Sequence, residues 1–121
     1  MCIFCNIKEE DVIYKNDHVL VIYDRFPVTK GHSLIITKRH VSNYFELNAD
    51  EKASIDDAII WLKTNLDSLF QPDGFNMGIN NGIAAGQTIM HLHVHVIPRY
   101  IGDVENPRGG VRGVIPSKQS Y

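Results

Sequence analysis

The run His91-Leu92-His93-Val94-His95-Val96-Ile97 constrains this chain more than any other stretch. Strict alternation is the period of a β-strand, whose successive side chains leave opposite faces. Leu92, Val94 and Val96 then share one face and suit a core, while His91, His93 and His95 share the other. Core packing does not explain three imidazoles on one face. They point to metal binding, catalysis or a titrating cluster. The fold must therefore cover one side of this strand and leave the other open to chemistry.

The remaining elements follow from local pattern. Val12 to Tyr14 and Val19 to Tyr23 are β-rich runs separated by Lys15-Asn16-Asp17-His18, which predicts a hairpin with a polar turn. Asp24 to Gly31 holds Pro27 and reads as a loop, and Ser33 to Thr37 is the next strand. Asn48 with Glu51 three residues on resembles a capping box. Ile55, Ile59, Leu62, Leu66 and Leu69 recur at helical spacing until Pro72-Asp73-Gly74 ends the pattern. Phe75 to Ile79 is a further strand, Asn80 to Gly86 a small-residue loop, and Pro98 is expected to end the histidine strand. Hairpins around one long helix give an α+β fold with an antiparallel sheet. At 121 residues this is one domain, with a Gly-, Pro- and Arg-rich tail over 99–121 showing little regular structure.

Composition narrows the function classes. Apolar residues make up 44% and charged residues 21%, which excludes disorder and fits a globular protein. Twelve Lys and Arg against fourteen Asp and Glu give a net charge of −2, which argues against broad nucleic-acid or membrane-surface binding. No segment reaches the ~18 apolar residues of a membrane span, and the first residues lack a secretory pattern. The cytoplasm is the expected compartment, where Cys2 and Cys5 mean metal or redox chemistry more often than a structural disulfide. A redox pair should follow a strand and open a helix, which Cys2-x-x-Cys5 does not. Two thiolates need two more ligands for tetrahedral zinc, available from His18, His32, His40 and one member of the triad. Two unrelated cysteines remain the alternative.

Two chemistries compete for the histidine face. One is a three-His zinc site with an open position for water. The other is a nucleophilic His oriented and assisted by its neighbours. Gly86-Gln87-Thr88, just before the strand, offers backbone, amide and hydroxyl donors for phosphate oxygens, and no carboxylate base lies between Phe75 and Tyr100. Both features favour the nucleophile. Asp24, at the end of a β-rich run, suits a sugar hydroxyl but also an ordinary turn; His18 and His32 read as structural. Arg108 and Arg112 in the tail could meet phosphate or simply lie in solvent.

His91-Leu92-His93-Val94-His95-Val96-Ile97 resembles the signature of the histidine triad (HIT) family, three His alternating with apolar residues. Cys2-Ile3-Phe4-Cys5, Asp24 through Gly31-His32-Ser33-Leu34-Ile35-Ile36 to Lys38-Arg39-His40, and Asn80 with Gly86-Gln87-Thr88 extend the likeness over most of the chain. The resemblance implies a HIT-like fold, an antiparallel sheet of about five strands with one long and one short helix, working as a homodimer. It implies a nucleotide hydrolase acting at an α-phosphate, without an organic cofactor. By carry-over His93 is the nucleophile that becomes nucleotidylated, and His95 bonds the phosphate or bridging oxygen. Gln87 and Thr88 hold phosphate oxygens, Asn80 adds a polar contact, Asp24 accepts from the ribose, and Ile3, Phe4 and Ile22 line the base pocket. Cys2, Cys5, His40 and His91 hold a structural zinc ion. The segment His95-Val96-Ile97-Pro98-Arg99 looks closer to the dinucleoside-polyphosphate hydrolases, the fragile-histidine-triad branch, with Arg99, Arg108 or Arg112 available for extra phosphates. The alternatives are a nucleoside phosphoramidase, a metal-dependent hydrolase using all three triad His, and a nucleotide-binding protein with little turnover.

Overall fold

The computed structural model describes residues 2–121. Five strands form one antiparallel sheet: β1 (Tyr14–Lys15), β2 (Val19–Tyr23), β3 (Ser33–Thr37), β4 (Gly74–Gly78) and β5 (His93–Arg99), in the order β1-β2-β3-β5-β4. One α-helix, α1 (Ala49–Phe70), covers one face. No helix among the described residues is long and apolar enough to cross a membrane.

The expected hairpin forms, with its first strand shortened to two residues. Asn16 shapes the turn: its side chain accepts from the backbone N–H groups of His18 and Val19 at 3.2 and 3.1 Å. Such an Asx turn consumes donors that would otherwise extend the ladder. Register then sorts the sheet into two faces. Ile35 pairs with both Val21 and Val94, and these side chains bury against Ile55, Ala58, Leu62 and Leu66 of α1. Leu34 pairs with Ile22 and His95, and Ile36 with Leu20 and His93, so those residues occupy the face away from the helix.

Both capping expectations for α1 are met. The Asn48 side chain accepts from the Glu51 N–H at 2.8 Å, and Glu51 Oε1 accepts from the Asn48 N–H at 3.0 Å. The buried stripe runs through Ala58 rather than continuing to Leu69, which is 53% exposed. Gln71 closes the helix in the left-handed region at φ 47°, and Pro72 prevents a further turn. In place of the expected second, short helix, the described residues hold only 3-10 turns, among them Tyr44–Glu46 with its own Asn43–Glu46 capping box.

The histidine strand differs from expectation at both ends. It begins at His93, because the Leu92 N–H donates to the Val41 carbonyl at 2.7 Å and so leaves the ladder. It also runs through Pro98, which pairs with Phe75. The Pro98 carbonyl points away from β4 to accept from the Thr29 hydroxyl at 2.5 Å, beyond the last β3 pair, Ser33 with Val96. The missing N–H therefore faces no strand, and Pro is tolerated. The tail folds into turns at Gly110–Val114 and Pro116–Lys118, where the guanidinium groups of Arg108 and Arg112 lie 4.9 and 4.8 Å from the Tyr121 ring.

Candidate active site and metal centre

The open face of β5 presents His93 and His95, their rings 5.2 Å apart. His93 Nδ1 lies 2.8 Å from the His91 carbonyl oxygen. A carbonyl can only accept, so Nδ1 carries the proton and Nε2 keeps its lone pair. That is the tautomer a nucleophilic imidazole needs.

His95 is set the opposite way through His32. The Val28 N–H donates to His32 Nδ1 at 3.0 Å, so the His32 proton sits on Nε2, 2.9 Å from His95 Nδ1. His95 Nδ1 accepts, and its Nε2–H becomes a donor beside the bare Nε2 of His93. Burial, foremost, holds both His32 and His95 below the ordinary value of 6.5; His93 and His32 add to the effect on His95, and Asp24 opposes it for each. Both rings are therefore neutral near pH 7. His32 read as structural in the sequence, and an isolated His after Gly31 carries no local signal of this role. Gly31 itself, at φ +91°, leaves no space for a side chain: a Cβ there would meet Phe70 at 2.9 Å.

Asp24, His32 and His95 also bring potential metal-ligating atoms within 4.8 Å of one another. The tautomer chain argues against a cation there, since the His32 nitrogen facing the cluster bears a proton. Asp24 instead accepts from the Phe26 N–H at 2.9 Å, with its second oxygen 3.4 Å from His32 Nε2.

Beside His93 opens a cleft of about 830 Å³. Ile3, Phe4, Ile22 and Asp24 all line it, together with Tyr23, Phe26, Leu34 and Ile89. Asn80 lies two residues beyond Gly78, the β4 partner of His95, which sets it at the level of His93. Thr88 is exposed in the preceding loop. Two other expected contacts are placed elsewhere. The buried Gln87 amide donates to the carbonyls of Ser42 and Ile89 at 2.6 and 3.1 Å and accepts from the Gly82 N–H at 2.8 Å. It braces the Gly82–Gln87 loop and has no donor left for phosphate. Arg99, at the far end of β5, gives its guanidinium to both Asp103 oxygens at 2.8 Å and to Asn76 at 2.6 Å. Six residues of strand put it roughly 20 Å along the sheet from His93. The tail arginines stack on Tyr121, and Arg112 also donates to the Lys118 carbonyl.

His91 belongs to a second centre. Its Nε2–H donates to the Thr37 carbonyl at 2.7 Å, leaving Nδ1 bare. That nitrogen faces His40 Nδ1 at 3.1 Å and the thiols of Cys2 and Cys5 at 3.4 and 3.5 Å; Cys5 is also 3.2 Å from His40 Nδ1. The four donor atoms lie within 4.8 Å of one another. Tetrahedral zinc with bonds of about 2.0–2.3 Å spaces its ligands roughly 3.3–3.8 Å apart, so the set fits. The Thr37 carbonyl is the outer partner that fixes a ligand tautomer in such sites. Desolvation, foremost, and the neighbouring Cys2 hold the Cys5 thiol above its ordinary value. Residue spacing leaves the choice open among His18, His32, His40 and one member of the triad; the fold brings His40 and His91 to the two cysteines.

Comparison with known proteins agrees with this arrangement. A HIT-domain family model matches residues 6–102. A HIT-like protein of Methanocaldococcus jannaschii is 40% identical over 87% of this chain and 84% of its own. A HIT family protein of Bacillus anthracis superposes with a TM-score of 0.78, at 39% identity over 84% of this chain and 75% of that one. A zinc-bound histidine triad family protein of Mycobacterium smegmatis gives 0.75, at 34% identity over 84% and 77%. Matches that carry named activities include a Plasmodium falciparum diadenosine triphosphate hydrolase (TM-score 0.77, 28% identity, 83% of this chain and 68% of that one) and an Arabidopsis thaliana adenylylsulfatase (36% identity, 81% of this chain and 52% of its own). With two imidazoles set as acceptor and donor on one strand, and the family match spanning most of the chain, this protein belongs to the HIT family.

Proposed function

We propose that this chain hydrolyses a nucleotide at its α-phosphate through a covalent intermediate on His93. The observation that carries the reading is the opposed pair of tautomers: His93 Nε2 bare, held by the His91 carbonyl, and His95 Nε2 protonated, held by His32. In the first step His93 Nε2 attacks phosphorus, a P–N bond forms, and the P–O bond to the leaving group breaks. His95 Nε2–H donates a hydrogen bond to the leaving oxygen, which departs as the phosphate anion and keeps the electron pair of the P–O bond. In the second step water attacks the same phosphorus, the P–N bond breaks with its electron pair returning to His93 Nε2, and the proton of water passes to solvent. Thr88 and Asn80 are available to phosphate oxygens, Asp24 to ribose, and the apolar lining of Ile3, Phe4 and Ile22 to a base. A dinucleoside polyphosphate is the substrate class we favour, in keeping with the diadenosine triphosphate hydrolase among the similar structures; a nucleoside phosphoramidate is the second reading, since the same P–N chemistry serves it.

We further propose zinc at Cys2, Cys5, His40 and His91, where it supplies structural cross-linking, and a homodimer formed along β4 and α1. Rapid quench with a dinucleoside polyphosphate labelled at the α-phosphate tests the mechanism. Labelled protein forms in a burst in the wild type, and His93→Ala abolishes both the label and turnover, a loss of at least about 10³-fold. Turnover retained in His93→Ala would overturn it.

A further inference from the structure

Among the described residues, the backbone hydrogen bonds of residues 2–6 close within the segment: Cys5 N–H to the Cys2 carbonyl at 3.2 Å and Asn6 N–H to the Ile3 carbonyl at 3.3 Å. The Asn6 amide also returns to the Cys2 carbonyl, at 3.2 Å. What reaches across to the body of the fold is chemically different. The two thiols meet His40 and His91, and the Phe4 ring lies edge-on 5.0 Å from His93 and 6.2 Å from His91. Ile3 and Phe4 stand between the two thiols, and both line the cleft beside His93. Ile3 is 62% exposed, so its own burial does little to pin the segment.

One residue connects the two centres from the other side. His91 offers Nδ1 to the Cys/His cluster, while its carbonyl holds the His93 imidazole. The metal-ligating set thus flanks the wall of the cleft and includes the residue that orients the nucleophile. An ordered wall presents its apolar surface without further entropy loss, whereas a loose one must be ordered by the nucleotide at the expense of affinity.

We propose that occupancy of the Cys2/Cys5/His40/His91 centre by a metal ion sets the nucleotide affinity of the adjacent cleft, with Ile3 and Phe4 as the coupling elements. This rests on reading the cleft as a nucleotide site. Coupling of this kind is reciprocal, so nucleotide tightens metal binding by the same factor that metal tightens nucleotide binding.

Calorimetric titration of AMP into zinc-loaded protein and into protein freed of zinc by a chelator measures the first arm, with circular dichroism showing that both remain folded. AMP binds roughly tenfold more weakly to the zinc-free form. The second arm is a competition titration of zinc against a chromophoric chelator, in which saturating AMP tightens zinc roughly tenfold. Phe4→Ala leaves all four ligands in place, binds zinc alone normally, and reduces that tightening to less than about threefold. Should the zinc-free protein unfold, the second arm decides alone, with wild type against Phe4→Ala. AMP binding equal in the two forms, or a Phe4→Ala variant that keeps the full tightening, overturns the linkage. Failure of AMP to bind the zinc-loaded protein overturns the nucleotide reading, and the linkage with it.

Discussion

At His95, the proton position depends on a residue that does not touch the reacting face. His32 accepts from the Val28 N–H and donates to His95 Nδ1, so substituting it changes what His95 can offer. His32→Leu keeps the volume but loses both bonds, and kcat falls roughly 10–100-fold with KM little changed. His32→Gln can accept through its carbonyl and donate through its amide, and it restores most of the loss. A Leu variant with full kcat would show the relay to be idle. The same pair gives a pH dependence of known sign. Burial places both groups below 6.5, so between the lowered values and 6.5 the unfolded chain binds more protons than the folded one. Stability then rises with pH across that interval. The contribution of the neutral pair is complete above pH 6.5 and is lost as pH falls below that value through the lowered ones. Urea midpoints measured from about pH 7.5 to 5.5 fall in the wild type and fall less in His32→Gln, whose amide does not titrate. Residue roles were legible where alternation placed them: His93 and His95 share a face because the strand period demands it. His32 and Gln87 were not, because their roles depend on partners 63 and 45 residues away in the chain. A glutamine beside a glycine looks the same in sequence whether its amide meets phosphate or braces a loop.

At the scale of elements, the N-terminus of α1 joins helix capping to the Cys/His cluster. Glu51 accepts from Asn48 and is also clamped by Arg39, through Nε at 3.0 Å and a terminal nitrogen at 2.7 Å. Arg39 immediately precedes His40, so the helix cap helps place a member of the Cys/His cluster. The Arg39 contact, foremost, holds the Glu51 carboxyl below its ordinary range. Asn48→Ala removes one cap bond and costs about 1 kcal/mol in urea unfolding. Glu51→Ala removes the cap return and the buried partner of Arg39 together, and costs more, roughly 2–4 kcal/mol. Equal costs for the two variants would count against the double role. The helix itself could be read from the sequence, since Asn48, Glu51 and the apolar period are local signals. The ends of β5 could not: His91 leaves the ladder because Val41 captures the Leu92 N–H, and Pro98 is admitted because β3 has already ended. Neither fact is local to the histidine run.

For the whole molecule, the sheet order leaves β4 paired on one side only, with β5. An unpaired edge invites a second strand, and natural sheets protect such edges with charge, Pro or cover. β4, Gly-Phe-Asn-Met-Gly, carries none of those charges, and Met77 on it is 49% exposed. On α1, Ile60 and Leu69 are exposed at 68% and 53%, outside the stripe that faces the sheet. A chain of 121 residues with an unpaired edge strand and apolar helix positions outside its core suits association with a second copy. The tail, by contrast, folds against its own chain: Arg108 and Arg112 stack on Tyr121, and a Cβ at Gly109 would strike the Gln119 carbonyl. That ordering was invisible in a Gly- and Arg-rich composition, because it depends on an aromatic residue nine positions beyond Arg112. The dimer is tested by light scattering at micromolar concentration. Wild-type protein runs at twice the chain mass, and Met77→Lys, which sets a charge on the edge strand away from His93 and the Cys/His cluster, shifts it toward a single chain. Circular dichroism unchanged in Met77→Lys confirms that the protomer stays folded, and a wild type that runs as one chain at every concentration would remove β4 as an interface.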